Sequence, residues 1–184
     1  MAELSTAHAP PPFVASPVLR LMPPAARHIL RAAPAAMAAA GDALGLSLSM
    51  PACRASVRGS RAALWLGPDE RLLLAEESSA AETADRLIQA LRDQPHSLVD
   101  VSHRQVAFAL PDPHAAVVLA AGCPLDLDPG AFPVGMCTRT VFAKAEIVLW
   151  RCADDSFHLE VWRSFAAYVS GVIAEAAREL AAAV

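Results

Sequence analysis

The sequence has no long uninterrupted apolar run and no closely spaced cysteines, and each absence excludes a class of protein. Charged residues or proline interrupt the apolar runs within about ten residues, whereas a helix that crosses a bilayer needs about 20. Residues 1–13 lack the basic start and apolar stretch of a secretory signal. No Cys-x-x-Cys pair occurs among the four cysteines, Cys53, Cys123, Cys137 and Cys152. We therefore expect a cytoplasmic protein with reduced thiols and no membrane partner.

Basic stretches and nucleotide-binding glycine motifs are also missing. The net charge of −4 and the pI near 5.8 argue against a nucleic-acid partner. Neither a Gly-x-Gly-x-x-Gly fingerprint nor a phosphate-binding P-loop is present, which leaves nucleotide folds of those types unsupported. The positive mean hydropathy of +0.37 indicates a well-filled core or a large apolar interface. A chain of 184 residues is long enough for one domain with a substantial core.

The N-terminal segment is rich in proline and alanine. Proline supplies no backbone N–H, so such a segment cannot sustain a helix or a central strand. We predict that residues 1–24 form a flexible arm that can lie extended on a partner, and that residues 25–184 form a single domain. The prolines of the arm are Pro10, Pro11, Pro12, Pro17, Pro23 and Pro24.

Apolar periodicity predicts alternating strands and helices. Strands are predicted at residues 28–31, 61–66, 71–75, 97–101, 105–110, 138–143, 146–150 and 157–161. Helices are predicted from Pro34 to Gly45, from the capping-box pattern Ser79-x-x-Glu82 to Pro95, from Asp112 to Gly122, and from Ser164 onward. In the second helix one face carries Ala84, Leu87, Ile88 and Leu91. In the last helix one face carries Phe165, Tyr168, Val169, Val172, Ile173, Ala176 and Leu180.

The order of elements indicates an internal duplication. Residues 27–92 are predicted as β-α-β-β-α, and residues 105–182 as the same unit with one extra strand. Two local matches support the repeat: Leu44–Leu48 resembles the sequence at 122–127, and Ala63–Leu66 resembles 148–151 with the tryptophans aligned. We therefore expect an α+β domain built from two similar halves, with helices packed on antiparallel sheets.

The polar stretch Asp100-Val101-Ser102-His103-Arg104 is the first candidate for chemistry, because it holds an Asp, a Ser and a His in four residues. Catalytic triads assemble from distant loops, and neighbouring strand residues point to opposite faces and cannot converge. We expect no triad here. The prediction is a turn at the end of a strand, in which Asp or Ser caps backbone donors.

Other reactive side chains form no recognisable site. Cysteine and histidine lack zinc-ligand spacing, and buried cysteine usually behaves as a small hydrophobe. The paired acids lie in turn sequences, where aspartate is common because it bonds the local backbone. We predict no catalytic residue and no metal ligand in this chain, and cofactor-binding residues are left undetermined. The residues considered are Cys123, Cys137, His114 and His158 for a metal, and Asp126, Asp128, Asp154 and Asp155 as carboxylate pairs.

Tryptophan is scarce, and Trp65, Trp150 and Trp162 all lie at or next to predicted strand ends. Trp162 falls on the opposite face of its strand from Phe157, Leu159 and Val161. An outward tryptophan is a reasonable interface anchor, since tryptophan is enriched at binding hot spots. A second buried face beneath a helix explains the pattern equally well, and both interpretations stay open.

Several ordered blocks resemble the gamma subunit family of heterotetrameric sarcosine oxidase, and together they cover about residues 27–180. One departure is visible: the family usually has Trp after the Gly-Pro-Asp-Glu turn, where this chain has Arg71, which puts one aromatic contact in doubt. The blocks are residues 65–70, 100–104, 120–127, 131–133, 137–140, 143–150 and 160–166.

This resemblance implies a role within an assembly. In that family an alpha subunit carries NAD and a folate-binding region, a beta subunit carries the sarcosine site with FAD and covalent FMN, and a delta subunit is a small zinc protein. The complex oxidises sarcosine to glycine, makes hydrogen peroxide and can pass the one-carbon unit to tetrahydrofolate. No catalytic residues are attributed to gamma. The resemblance thus implies a non-catalytic subunit that binds no cofactor alone and has alpha, beta and delta chains as partners.

The family fold is also similar to the folate-binding domain of the glycine-cleavage T-protein, in which an Asp-Val-Ser-His segment like that at Asp100–His103 precedes a strand and a helix. The duplicated halves fit that plan. The same likeness supports a rival from another class, a stand-alone folate-binding or one-carbon-transfer domain.

Overall fold

The computed structural model describes residues 10–182, and within this range the chain folds into ten strands and four α-helices. The strands are β1 (Arg20–Leu21), β2 (Ala25–Ala32), β3 (Ala55–Arg58), β4 (Arg61–Gly67), β5 (Glu70–Glu76), β6 (His96–Asp100), β7 (Gln105–Pro111), β8 (Cys137–Phe142), β9 (Ala145–Ala153) and β10 (Ser156–Trp162). The helices are α1 (Pro34–Leu44), α2 (Ala80–Leu91), α3 (Ala115–Ala120) and α4 (Ala166–Ala182).

The strands form two antiparallel sheets packed face to face. The first sheet has the order β3-β4-β5-β2-β6, and the second has the order β8-β9-β10-β7-β1. The outer face of the first sheet is covered by α1 and α2, and that of the second by α3 and α4. A third apolar cluster, which includes Leu64, Leu72 and Val148, packs between the sheets. This arrangement confirms the predicted α+β class with helices packed on antiparallel sheets.

The two halves match more closely than the sequence pattern predicted. β3 of the first half pairs with β4 as β8 of the second half pairs with β9. The predicted difference of one strand was therefore wrong, because the repeating unit is β-α-β-β-β-α in both halves. β3 escaped prediction since it is a four-residue edge strand whose side chains are half-buried or exposed, so it lacks a clear apolar alternation.

The N-terminal strand completes the second sheet. β6 follows α2 and pairs with β2 at the edge of the first sheet, whereas β1 occupies the equivalent edge of the second sheet beside β7. The edge strand β1 of the second sheet therefore comes from the start of the chain. The equivalent edge strand of the first sheet, β6, follows the last helix of the first half. The sequence pattern did not predict β1, which is two residues long and is followed by Pro23 and Pro24.

The described part of the predicted arm, residues 10–24, lies against the second half. The Val14 N–H donates to Ser170 Oγ at 2.8 Å, and the Phe13 and Phe108 ring centroids are 6.2 Å apart. Leu19 is buried in the core of that half. Residues 1–9 of the arm lie outside the described residues, and the predicted flexibility of the segment stays a prediction.

α1 follows its predicted signals closely. Pro34 occupies its first turn, and Gly45 after its last residue takes a left-handed conformation with φ of 69°, which costs glycine little because it has no Cβ.

The other helices differ from the predictions in their boundaries or in the residues that they bury. The predicted capping box at Ser79 does not form, since its hydroxyl bonds the Glu76 carbonyl oxygen at 3.0 Å. α2 buries Thr83 rather than Ile88, which is exposed. α3 begins at Ala115, after a turn in which Asp112 Oδ1 accepts from the His114 N–H at 2.8 Å.

The last helix buries only part of its predicted apolar face. Phe165 lies in a short 3-10 turn, Arg163–Phe165, that precedes α4. Phe165 and Tyr168 are exposed, while Ala166, Val169, Ser170 and Ile173 are buried. The apolar period identified the helix correctly, but the aromatic side chains at its start lie outside the core.

Strand register places the two repeated tryptophans at different positions. Trp65 lies opposite Arg71 across the β4–β5 pair, whereas Trp150 lies opposite His158 across the β9–β10 pair. In the duplicated register, Arg151 is the counterpart of Trp65. The alignment of the tryptophans was therefore one residue off, because sequence similarity cannot detect the bulges near the ends of both hairpins.

Candidate functional site

A buried polar network crosses between the two sheets and forms one wall of a cavity. Arg27 on β2 donates from Nε to Glu160 Oε2 on β10 at 2.7 Å, and its Nη1 donates to the Ala25 carbonyl oxygen at 3.0 Å. The other carboxylate oxygen, Glu160 Oε1, lies 2.9 Å from His158 Nε2. An ionised carboxylate can only accept hydrogen bonds, so Nε2 carries the proton in this contact. The network joins one half of the protein to the other.

Both charges of the central ion pair are removed from solvent. The side chains of Arg27 and Glu160 are 3% and 0% exposed. Burial raises the pKa of the Glu160 carboxyl, but the hydrogen bond from His158 and the charge of Arg27 outweigh it, so that the pKa lies below its ordinary value. The carboxylate is thus ionised and charge-compensated. Its two oxygens are already bonded, which leaves it poorly placed to take a proton from a ligand.

The cavity beside this network has a volume of about 270 Å³ and lies between the sheets. Its walls are largely apolar, with Ala62 and Leu74 from the first sheet and Ala107 from the second. The indole Nε1 of Trp150, another lining residue, is buried without a hydrogen-bond partner. The cavity therefore suits a small apolar group that accepts one hydrogen bond.

The segment Asp100–Arg104 supports this network from the first sheet. Asp100 Oδ1 accepts from the Ser102 N–H at 2.8 Å, and Ser102 Oγ accepts from the Arg27 N–H at 2.9 Å. These bonds confirm the predicted strand-end turn in which Asp and Ser cap backbone donors. Partial burial raises the pKa of Asp100, but the bonds from Ser102 and the charge of His28 hold it below its ordinary value.

His28, next to Arg27 on β2, is another buried titratable group. It lies opposite Asp100 in the β2–β6 register, it is buried, and its Nδ1 has no hydrogen-bond partner. Burial lowers its pKa, and the Asp100 carboxylate opposes that effect without cancelling it.

The candidate metal ligands do not come together. Cys137 lies in the cluster between the sheets, Cys123 lies on the helix side of the second sheet, and His114 is exposed at the start of α3. His158 belongs to the polar network. Burial raises the pKa of the Cys137 thiol to about 11, which disfavours the thiolate that metals bind. Within residues 10–182 no group of three or more potential ligands is close enough to hold a metal ion.

The candidate carboxylates lie in turns, as predicted. Asp126 Oδ1 accepts from the Asp128 N–H at 2.9 Å, and Asp128 Oδ1 accepts from the Gly130 N–H at 2.8 Å. Asp154 and Asp155 form the turn between β9 and β10. These side chains order the backbone of their loops.

The three tryptophans differ in burial, and the two interpretations concern Trp162. Trp65 and Trp150 pack partly buried against the cluster between the sheets. Trp162, at the end of β10, is 42% exposed. The buried face of β10 that carries His158 and Glu160 is covered by the other sheet and not by a helix.

Arg27 and Glu160 were missed by sequence reasoning. Glu160 stands between Leu159 and Val161, so a carboxylate inside an apolar strand was the available signal. Its partner could not be found in the sequence, because the two residues come from strands in different halves.

Most of the chain matches a known protein family. The model of the sarcosine oxidase, gamma subunit family matches residues 30–179. The chain belongs to this family. Sarcosine oxidase subunit gamma of Corynebacterium sp. strain P-1 is 36% identical over 146 residues, which cover 78% of this chain and 70% of that protein.

Two solved structures extend the comparison. A chain of the heterotetrameric sarcosine oxidase from Corynebacterium sp. U-96, in complex with pyrrole 2-carboxylate, aligns with a TM-score of 0.82 and 34% identity over 88% of this chain and 83% of that chain. The glycine cleavage system aminomethyltransferase T from Bartonella henselae aligns with a TM-score of 0.65 over 84% of this chain and 44% of that chain. Its identity of 14% shows a shared fold alone.

Arg71, the residue expected to depart from the family pattern, has a structural role. Arg71 is buried on β5, where its guanidinium donates to the carbonyl oxygens of Leu48, Gly67 and Glu70. In this gamma-family chain the side chain therefore binds the loop after α1 to the β4–β5 turn by hydrogen bonds.

Proposed function

We propose that this chain is the gamma subunit of a heterotetrameric sarcosine oxidase and that it has a structural role beside the alpha, beta and delta subunits. The observation that carries the proposal is the 34% identity and TM-score of 0.82 to a chain of such a complex over 88% of this chain. Family membership and the named gamma subunits among its relatives support it. No helix within residues 10–182 is long and apolar enough to span a membrane, and we propose the cytoplasm as the location of the complex.

The reaction of the complex follows from the same proposal. It oxidises sarcosine to glycine with formation of hydrogen peroxide and passes the one-carbon unit to tetrahydrofolate. FAD, FMN, NAD and tetrahydrofolate bind to partner subunits. A non-catalytic role for this chain is supported by the bonding of both Glu160 oxygens, to Arg27 and His158, in its inter-sheet cavity.

Co-expression with the alpha, beta and delta genes tests the proposal. A tag on this chain should recover a flavin-containing complex with one gamma per complex. A stable chain that never joins such a complex would contradict the proposal. Recovery of the oxidase with only a trace of gamma would instead identify an assembly factor.

The rival function is a stand-alone folate-binding or one-carbon-transfer domain. Two observations favour it: the fold shared with aminomethyltransferase T, and the inter-sheet cavity with the unpartnered Trp150 Nε1. Calorimetric titration of the isolated chain with tetrahydrofolate or its 5-formyl analogue separates the two functions. We expect no heat of binding. If heat is measured at micromolar ligand, its loss in Trp150→Phe would locate the ligand in this cavity.

A further inference from the structure

In both halves the last strand is joined to the last helix by a 3-10 turn. The backbone of this connection is equivalent in the two halves, but its side chains differ. In the first half β5 ends at Glu76, and the 3-10 turn Glu77–Ser79 leads into α2 at Ala80. In the second half β10 ends at Trp162, and the 3-10 turn Arg163–Phe165 leads into α4 at Ala166. The buried positions match as well, with Thr83 and Leu87 on α2 corresponding to Val169 and Ile173 on α4.

Three exposed positions of the second half differ sharply in chemistry from their equivalents in the first half. Glu76, Ser79 and Glu82 in the first half correspond to the aromatic residues of the second half, Trp162, Phe165 and Tyr168. The first half adopts this backbone with polar side chains at all three positions. The fold therefore does not require aromatic residues there, and another role must explain why three of the few aromatic side chains of the chain occupy them.

The aromatic side chains are accessible and partly held in place. Trp162, Phe165 and Tyr168 are 42%, 38% and 39% exposed, and the ring centroids of the last two are 6.5 Å apart. The Arg104 guanidinium carbon lies 5.4 Å from the centroid of the Trp162 ring, within the range of a cation–π contact. This contact restricts the side chains of Arg104 and Trp162 before any partner binds.

A groove of about 550 Å³ adjoins Arg104 and Trp162. Phe165 and Tyr168, three and six residues after Trp162, lie outside its lining. One wall is the proline run Pro10–Pro12, and Arg104 and Trp162 contribute to the other. No aspartate or glutamate stands among the described residues that line it. The groove is therefore locally basic and apolar, although the chain as a whole carries a net charge of −4.

We propose that Arg104, Trp162, Phe165 and Tyr168 form a docking surface for an acidic and apolar segment of a partner protein. This inference rests on the proposed function, under which the partner is another subunit of the oxidase. Aromatic side chains bury a large area at a low entropic cost, and arginine and tryptophan are the residue types that dominate binding hot spots. The arginine selects a carboxylate on the partner, and the rings cover the neighbouring apolar side chain.

A second copy of the chain is a poorer occupant. Its Glu76 and Glu82 could face this surface, but such a contact joins different patches of the two copies and leaves each patch available for a further copy. A partner of different sequence occupies the surface without creating a further binding site, so that no open-ended assembly forms.

The test transfers three residues of the first half to the equivalent positions of the second half; we call this triple variant the graft. The triple variant Trp162→Glu, Phe165→Ser and Tyr168→Glu installs the residues found at the equivalent positions. The control, Val57→Ser with Ile88→Ser, changes two exposed apolar residues of the first half. Each chain is co-expressed with the alpha, beta and delta subunits, and the gamma recovered per complex is measured. We expect at least a tenfold loss for the graft and none for the control.

A second variant separates docking from folding. Arg104→Glu keeps all three aromatic residues and should also lower the recovery of gamma, with an unchanged urea midpoint. If the triple variant lowers the urea midpoint, the single variant Tyr168→Glu is used in its place when the recovery of gamma is compared. Full recovery of the grafted and Arg104 variants would overturn the docking surface and leave the proposed function intact. Failure of the unmodified chain to co-purify would remove both.

Two further measurements address the other classes of partner. Sedimentation of the isolated chain should show a monomer, and a fluorescent poly(U) strand should not bind. Self-association that the graft abolishes would overturn the inference in favour of a second copy. Poly(U) binding that the graft abolishes would overturn it in favour of a nucleic acid.

Discussion

Arg27 and Glu160 form a buried ion pair that connects the two halves. Their side chains meet at 2.7 Å and are nearly inaccessible to solvent. Removing one partner of such a pair lowers the free energy of unfolding by far more than the intact pair contributes to it. The reason is that the remaining charge is left uncompensated in a medium of low polarity.

The variant Glu160→Gln should therefore lower the free energy of unfolding by about 3–5 kcal/mol. Urea denaturation followed by circular dichroism measures the change. The control is Glu175→Gln, which breaks an exposed pair with Arg178 on α4 and should leave the midpoint unchanged. Similar midpoints for both variants would show that the buried pair does not hold the sheets together.

His28 should make stability depend on pH between neutrality and mild acid. Its folded-state pKa is lowered, chiefly by burial, so the unfolded chain binds more protons as the pH falls below its ordinary pKa of about 6.5. Stability is then lost as the pH decreases through that window. Glu160, whose pKa is also lowered, loses its contribution only at a pH below about 4.3.

His28→Leu tests this dependence. The free energy of unfolding of the unmodified chain should decrease between about pH 7.5 and pH 5.5, with a contribution from His28 of at most about 1.4 kcal/mol per pH unit. The variant should show a shallower decrease over the same range. Equal slopes would exclude His28 as the group responsible.

At the scale of elements, two glycines inside helices should respond to alanine in opposite directions. A Cβ on Gly41 of α1 would lie 2.6 Å from the Leu46 carbonyl oxygen, because the loop after the helix folds back against it. A Cβ on Gly171 of α4 would meet its nearest neighbour, Val14 Cγ2, at 3.7 Å, an ordinary contact distance.

Gly171→Ala should raise the free energy of unfolding by up to about 1 kcal/mol, since alanine is the better helix former. Gly41→Ala should lower it by about 1–3 kcal/mol, because the backbone of the loop must move. Thermal or urea unfolding of both variants provides the comparison. Stabilisation by Gly41→Ala would mean that the loop at Leu46–Leu48 is not held against α1.

At the scale of the whole molecule, the inter-sheet cluster should make the two halves unfold together. Leu72 is fully buried in this cluster, and Leu72→Ala should cost about 2–5 kcal/mol. Circular dichroism and tryptophan fluorescence should report the same midpoint in the variant and in the unmodified chain. Val57→Ala, at an exposed position, is the control and should change stability by less than about 0.5 kcal/mol. Two separate transitions would contradict this coupling.

Local patterns predicted most strands and helices because each element carries its own apolar period. Pro34 and Gly45 also marked α1 correctly. Short elements without such a period, β1 and β3, were missed. The same limit affected the candidate site, since the turn at Asp100 and Ser102 could be predicted from adjacent residues but the pairing of Arg27 with Glu160 could not.

The order of the elements, the internal duplication and the family resemblance depend on residue types at nearby or regularly spaced positions, and for that reason they can be read from the sequence. Which side of each apolar pattern is covered depends on tertiary contacts. Phe165 and Tyr168 share the period of a core face, yet they are exposed while Val169 and Ile173 are buried. Periodicity specifies which residues share a side of a helix, whereas burial depends on a neighbour that is distant in sequence. For that reason neither the inter-sheet ion pair nor the exposure of the aromatic residues follows from the sequence pattern.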